Sequence, residues 1–156
     1  MRRLGLLGAL LTASAILGGC TAGAVSVEPP NPAAQVAVKC AALNNELPSR
    51  LEGLKPRVVS PSTPFVHAWG DPAVVATCGV PAPRGYSAGS SETTEVDGIR
   101  WFQQIGSKSV TWTALRPGGV NGQTINVRLV VPVHYAAQGA FLVDLAPALK
   151  AALHAN

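Results

Sequence analysis

The stretch "AWGDPAVVATCGVP", residues 68–81, decides the reading of the fold. It places a Trp, a Gly-Asp-Pro turn, an apolar β-type run and a Cys within fourteen positions. Just upstream, Phe65, His67 and Trp69 alternate with Val66 and Ala68, which is the period of a strand. Gly70-Asp71-Pro72 is turn chemistry: Gly tolerates positive φ, Pro presets its own φ, and an Asp side chain accepts from nearby backbone N–H groups in an Asx turn. Ala73 to Cys78 resumes as a strand, so the block reads as a β-hairpin that ends in a cysteine.

Working outward from the hairpin, residues 81–92 ("PAPRGYSAGSSE") form a polar, Gly/Ser-rich loop. Thr93–Val96 and Ile99–Gln104 flank Asp97-Gly98, a strong two-residue hairpin signal. Val110, Trp112 and Ala114 alternate in the next strand. After the turn region "RPGGVNGQ" (116–123), Ile125, Val127, Leu129 and Val131 alternate in the last. A helix is expected on each side of these strands. Upstream, Asn31 caps and Pro32 opens the first turn; Val36, Cys40, Leu43 and Leu47 then form one apolar stripe, and Pro48 ends the helix. Downstream, Asp144 caps a second helix with Pro147 in its first turn and a Leu145, Leu149, Leu153 stripe. The expected fold is α+β: an antiparallel meander of about five to six strands, with an N-terminal and a C-terminal helix on one face. Trp69, Trp101 and Trp112, on three different strands, are expected to fill much of the core.

The N-terminus speaks to address. Arg2 and Arg3 precede an uncharged apolar run of fourteen residues, Leu4 to Leu17. That is short for a membrane span, which needs about 20, and fits a signal-peptide core. The run ends in Leu17-Gly18-Gly19-Cys20. Small residues before a Cys are what a lipoprotein signal peptidase cuts, leaving the sulfur to carry a diacylglyceryl group, often joined by a palmitoyl chain on the new N-terminus. Residues 1–19 are therefore read as a signal peptide. Residues 20–32, with a lipidated Cys20, read as a flexible tether, and 33–156 as a single domain.

Three cysteines are an odd number for an exported chain. With Cys20 lipidated, Cys40 and Cys78 remain as one even pair in an oxidising compartment, and Cys40 lies on the buried stripe of the first helix. A bridge would tie that helix to the second strand of the hairpin; the alternative is two unpaired thiols. The mature chain carries 10 Lys+Arg against 8 Asp+Glu, a net charge of +2. That balance and an external address give no support to nucleic-acid binding. The Arg-heavy usage (8 Arg to 4 Lys), with abundant Ala, Gly and Pro, suggests a GC-rich genome such as an actinobacterium.

A Cys on the first helix, "AWGDPAVVATCGVP", the "VDGIRW" hairpin and the ending "VPVHYAAQGAFLVDLAPAL" together resemble the actinobacterial domain-of-unknown-function 3515 family. The resemblance runs from about Cys40 to Leu149. It implies a small exported or membrane-anchored protein, with no assigned activity and so no catalytic residue to carry over. Relatives keeping an N-terminal transmembrane segment would differ from the lipid anchor expected here.

Candidate chemistry is sparse. Gly85-Tyr86-Ser87-Ala88-Gly89 spells G-x-S-x-G, but a nucleophile elbow needs a strand before it and a helix after it. "PAPR" and "SSETTE" supply neither, so a flexible loop is expected. His67, His134 and His154 lack metal-ligand spacing, and no metal or cofactor is expected. His67, between Phe65 and Trp69 on one strand face, suits a hydrogen-bonded, half-buried histidine. Asp71 has no second carboxylate near it in sequence. Arg100, Arg116 and Arg128 lie on or beside successive strands and could form a small anion-binding face, weighed against a solvated sheet face. The ligand-facing candidates are His67, Asp71, Arg100 and Arg116. The expected function is a lipid-anchored, non-enzymatic envelope domain on the outer face of the cell membrane. It would bind or scaffold an envelope protein or cell-wall partner. The alternative is a cell-wall-directed hydrolase or transferase using Asp71 with His67 or His134. A third option, a lipid or small-ligand carrier, would need an apolar cavity between helices and sheet.

Overall fold

In chain order the elements are β1 (Val25–Ser26), α1 (Ala34–Glu46), β2 (Pro56–Arg57), β3 (Val59–Ser60), β4 (Val66–Trp69), β5 (Val74–Cys78), β6 (Thr93–Val96), β7 (Ile99–Ile105), β8 (Ser109–Val120), β9 (Gln123–Pro132) and α2 (Ala140–Leu153). The structure is a computed structural model that describes residues 23–87, 89–120 and 123–153.

Residues 68–81 fold as the sequence pattern requires. β4 and β5 pair antiparallel with Trp69 opposite Val74 and Val66 opposite Thr77. Asp97-Gly98 makes the second hairpin: both residues have positive φ (51° and 76°), the requirement of a type I′ turn, and Val96 pairs with Ile99. The seven strands of the main sheet lie in the order β2-β4-β5-β9-β8-β7-β6, all antiparallel. This exceeds the five to six strands expected and departs from a simple meander. β6 to β9 do meander, but β9 then closes against β5, with Cys78 opposite Val127.

That strand order has a consequence for the far face. β5 sits in the middle of the sheet and β6 at its edge, so residues 79–92 must cross over β9, β8 and β7, about 19 Å at normal strand spacing. They cross on the face away from the helices, where Tyr86 meets Phe102 edge-on at 5.5 Å.

The period-2 pattern sorts residues between the faces. Trp101, Trp112, Ala114, Ile125, Val127, Leu129 and Val131 turn toward the helices and are buried in one core. α1 contributes Val36, Cys40 and Leu43, and α2 contributes Phe141, Leu142, Leu145, Leu149 and Leu153. Each buried Val, Leu, Ile or Phe side chain among these stabilises the fold by roughly 1.5–3 kcal/mol through removal of apolar surface from water. Trp69 and Trp101 are fully buried, and Trp112 is 8% exposed. Trp69 Nε1 donates to Pro48 O (3.1 Å), whereas the buried indole N–H groups of Trp101 and Trp112 have no acceptor among the described residues. The Cys40–Cys78 disulfide joins α1 to β5 inside this core.

Four local expectations are corrected. α1 begins after Ala33, not at Asn31-Pro32, and no side chain caps it. Pro32 instead packs on Gly79, where an added Cβ would stand 2.8 Å from Pro32 Cβ and where φ is +80°. Asp144 does not cap α2, which starts a turn earlier at Ala140; its carboxylate accepts from Glu52 N (2.7 Å). Pro147 is therefore inside the helix rather than in its first turn, exposed beside exposed Val143, whose carbonyl lacks the usual N–H four residues on. The turn expected at 116–123 is mostly strand: β8 runs to Val120, and a register shift between Ala114 and Gly118 brackets Pro117, which has no N–H for the ladder. Within the stretch read as a tether, residues 23–32 are described and hold the two-residue strand β1. Val25–Ser26 pairs in parallel with Val59–Ser60. The C-terminus of α1 follows expectation, with Leu47 extended ahead of Pro48.

Candidate functional site

His67 lies on the helix-facing side of β4. Its Nδ1–H donates to Asn44 Oδ1 of α1 (3.1 Å), and its ring leans on Trp69 with centroids 4.6 Å apart. Burial lowers its pKa below the usual 6.5, because the charged ring loses hydration that the carboxamide replaces only at one nitrogen. The recess beside it, between α1 and β4, holds only about 10 Å³, space for a single water.

Asp71 belongs to a different set of contacts. Its carboxylate stands 3.5 Å from Arg57 Nη1 and is 72% exposed, so the pair is a surface interaction worth little by itself. Here an ion pair replaces the expected Asx turn. Arg57 does more: Nη1 donates to Gly70 O (2.7 Å) and Nη2 to Gly23 O (2.6 Å). One mostly buried guanidinium thus pins the hairpin turn and the N-terminal segment to β2. Tyr135 Oη donates to Pro72 O (2.6 Å), and its pKa is raised by burial and then by the negative charge of Asp71. The adjacent His134 is exposed and meets the Tyr135 ring edge-on at 5.5 Å. Asp71 and His134 therefore share Tyr135 as a neighbour, whereas His67 and Asp71 share no contact. Nothing in the sequence singles out Arg57, because its two acceptors are backbone carbonyls 13 and 34 residues away.

Of the arginine candidates, Arg100 is exposed on β7 opposite Glu95. Arg116 falls in the part of β8 whose side chains lie outside the described ones. Arg128 stands on the far face of β9 between Thr77 and Thr113 of the flanking strands. The structure brings it together with Arg84, from the crossing segment, rather than with Arg100. A groove of about 310 Å³ runs between them, floored by Thr113 and Gln104 and walled by Pro81 and Pro83. A second, more open groove of about 530 Å³ lies on the other side of Val80–Ala82, between the start of α1 (Ala33, Val36) and the end of the sheet (Gln123, Thr124, Asn126). The partition between the two is held at both ends. Gly79 N donates to Asn126 O (2.9 Å), Asn126 Nδ2 to Val80 O (3.3 Å), and Gln104 Nε2 to Arg84 O (3.2 Å).

In the G-x-S-x-G loop, Ser87 is exposed and its N–H donates to Ser90 Oγ (2.8 Å), a turn contact. Among the described residues, no three His, Cys, Asp or Glu side chains gather where they could hold a metal, and no helix is long and apolar enough to cross a membrane. The lipidation site expected at Cys20 and the imidazole of His154 lie outside the described residues.

Fold and site define a small, disulfide-stapled α+β domain with one groove on the open face of its sheet and a second where the sheet's end meets the start of α1. The chain belongs to the family described as Protein of unknown function (DUF3515), which it matches over residues 4–156. No curated protein and no solved structure matches it.

Proposed function

We propose that the chain is a lipid-anchored cell-envelope protein whose domain works by binding or scaffolding, not by catalysis. The apolar run Leu4–Leu17 ending at Cys20 supports the anchor, and the Cys40–Cys78 disulfide supports an oxidising compartment outside the cytosol. The observation that carries the binding half is the pinned crossing segment, with one groove between it and the far face of the sheet and a second between it and the start of α1. Grooves with walls fixed before a partner arrives lose little ordering entropy on binding. The recess beside His67 is too small for a substrate, which favours this reading over a hydrolase built on that histidine.

Photo-crosslinking in living cells tests it. A crosslinking residue replaces Ala82, exposed in the partition between the grooves, or Ala151, exposed on α2. Discrete adducts from position 82 and none from 151 are expected. No adduct from 82, or the same adducts from both, would overturn the binding half.

A further inference from the structure

Two cations face the smaller groove. Arg84 reaches it from the crossing segment and Arg128 from β9, and among the described residues neither forms an ion pair. Arg100, by contrast, has Glu95 directly across the ladder. Two guanidiniums without a partner carboxylate leave the groove electropositive, which attracts an anion. The groove adds neutral donors: the Gln104 carboxamide, already fixed by its bond to Arg84 O, and the hydroxyl of Thr113, a residue only 2% exposed. Its volume of about 310 Å³ is at the lower end for small-ligand sites.

We propose that this groove is an oxyanion site, in which Arg84 and Arg128 bind a phosphate or carboxylate group carried by the partner. Guanidinium forks suit both groups because two parallel N–H donors match two oxygens of either. The proposal rests on the binding-domain reading and specifies the chemistry of one groove.

Arginine modification mapped by mass spectrometry reads the site in the intact full-length chain. Phenylglyoxal reacts with free guanidines, and a bound anion shields them. With inorganic phosphate at about twice its Kd, modification of Arg84 and Arg128 should slow about threefold relative to chloride at equal ionic strength. Arg50, exposed and bonded to Gly53 O, should react at the same rate in both. Polyglutamate in place of phosphate forms the second arm: protection by phosphate alone identifies a phosphate-bearing ligand, and protection by polyglutamate alone a carboxylate-bearing one. An Arg128→Gln chain with an unchanged melting temperature should lose protection at Arg84. Equal rates at Arg84, Arg128 and Arg50 with both anions would overturn the proposal. That result would leave open a partner held by the neutral groove, which crosslinking from position 82 reads separately.

Discussion

Cys40 of α1 and Cys78 of β5 are bonded across a sequence separation of 38, with their Cα atoms 5.5 Å apart. The bond closes the loop that contains β2, β3 and the first hairpin. In the chain-entropy account such a closure stabilises by about 4 kcal/mol, by removing open conformations from the unfolded ensemble. The Cys40→Ala/Cys78→Ala double variant should lose about that much stability in denaturant titration. Digestion without reductant should yield a single linked peptide pair. Free thiols at both positions in protein isolated from the envelope would contradict the staple.

The three tryptophans predict a graded response. Trp69→Ala should cost about 3–5 kcal/mol, since a fully buried indole leaves a cavity that the helices cannot close. Phe replacements separate packing from hydrogen bonding. Trp69→Phe strands Pro48 O, whereas Trp101→Phe removes a donor with no acceptor among the described residues. The first should therefore be costlier by about 1 kcal/mol, read from unfolding midpoints.

Arg57→Gln tests whether one guanidinium holds the N-terminal segment. Gly70 O and Gly23 O lose their donors, so stability should fall by about 1–3 kcal/mol. The local readout is hydrogen exchange at Val25 and Val27, whose N–H groups donate to Val58 O and Ser60 O. Their protection should drop more than that of Leu129 in the central ladder. A uniform change would show that Arg57 acts on the whole domain rather than on this junction.

His67 sets a pH dependence. Its folded pKa lies below 6.5, so on acidification the unfolded chain takes up a proton before the folded one does. Stability is thus fully present above about pH 6.5 and falls as pH drops through the folded pKa. His67→Asn should flatten the curve between about pH 7 and 5, measured by urea titration at each pH. A variant with the same slope as the parent would remove His67 as the cause.

The hairpins, the alternating core of β9, the stripe of α1 and the cysteine pairing were legible because each depends on local period or count. Strand order was not: β9 pairs with β5 through residues about 50 apart, and no local pattern encodes that choice. The same gap hid the site. Residues 81–92 look like an ordinary polar loop in sequence, and only the β5-to-β6 crossing lays them over Arg128. Arg84 therefore carries no sequence signal, while strand succession groups Arg100, Arg116 and Arg128. Asn31 and Asp144 are each good caps by type, yet α1 starts after Ala33 and the Asp144 carboxylate accepts from Glu52 N instead.

The claim that this domain works at a membrane surface is tested most directly by intact-mass analysis of the protein purified from membranes. The account predicts a chain that begins at Cys20 and carries a diacylglyceryl group on its sulfur. The Cys20→Ala chain should remain uncleaved and unlipidated. A mature chain that begins elsewhere, or that has a free Cys20 thiol, would contradict it.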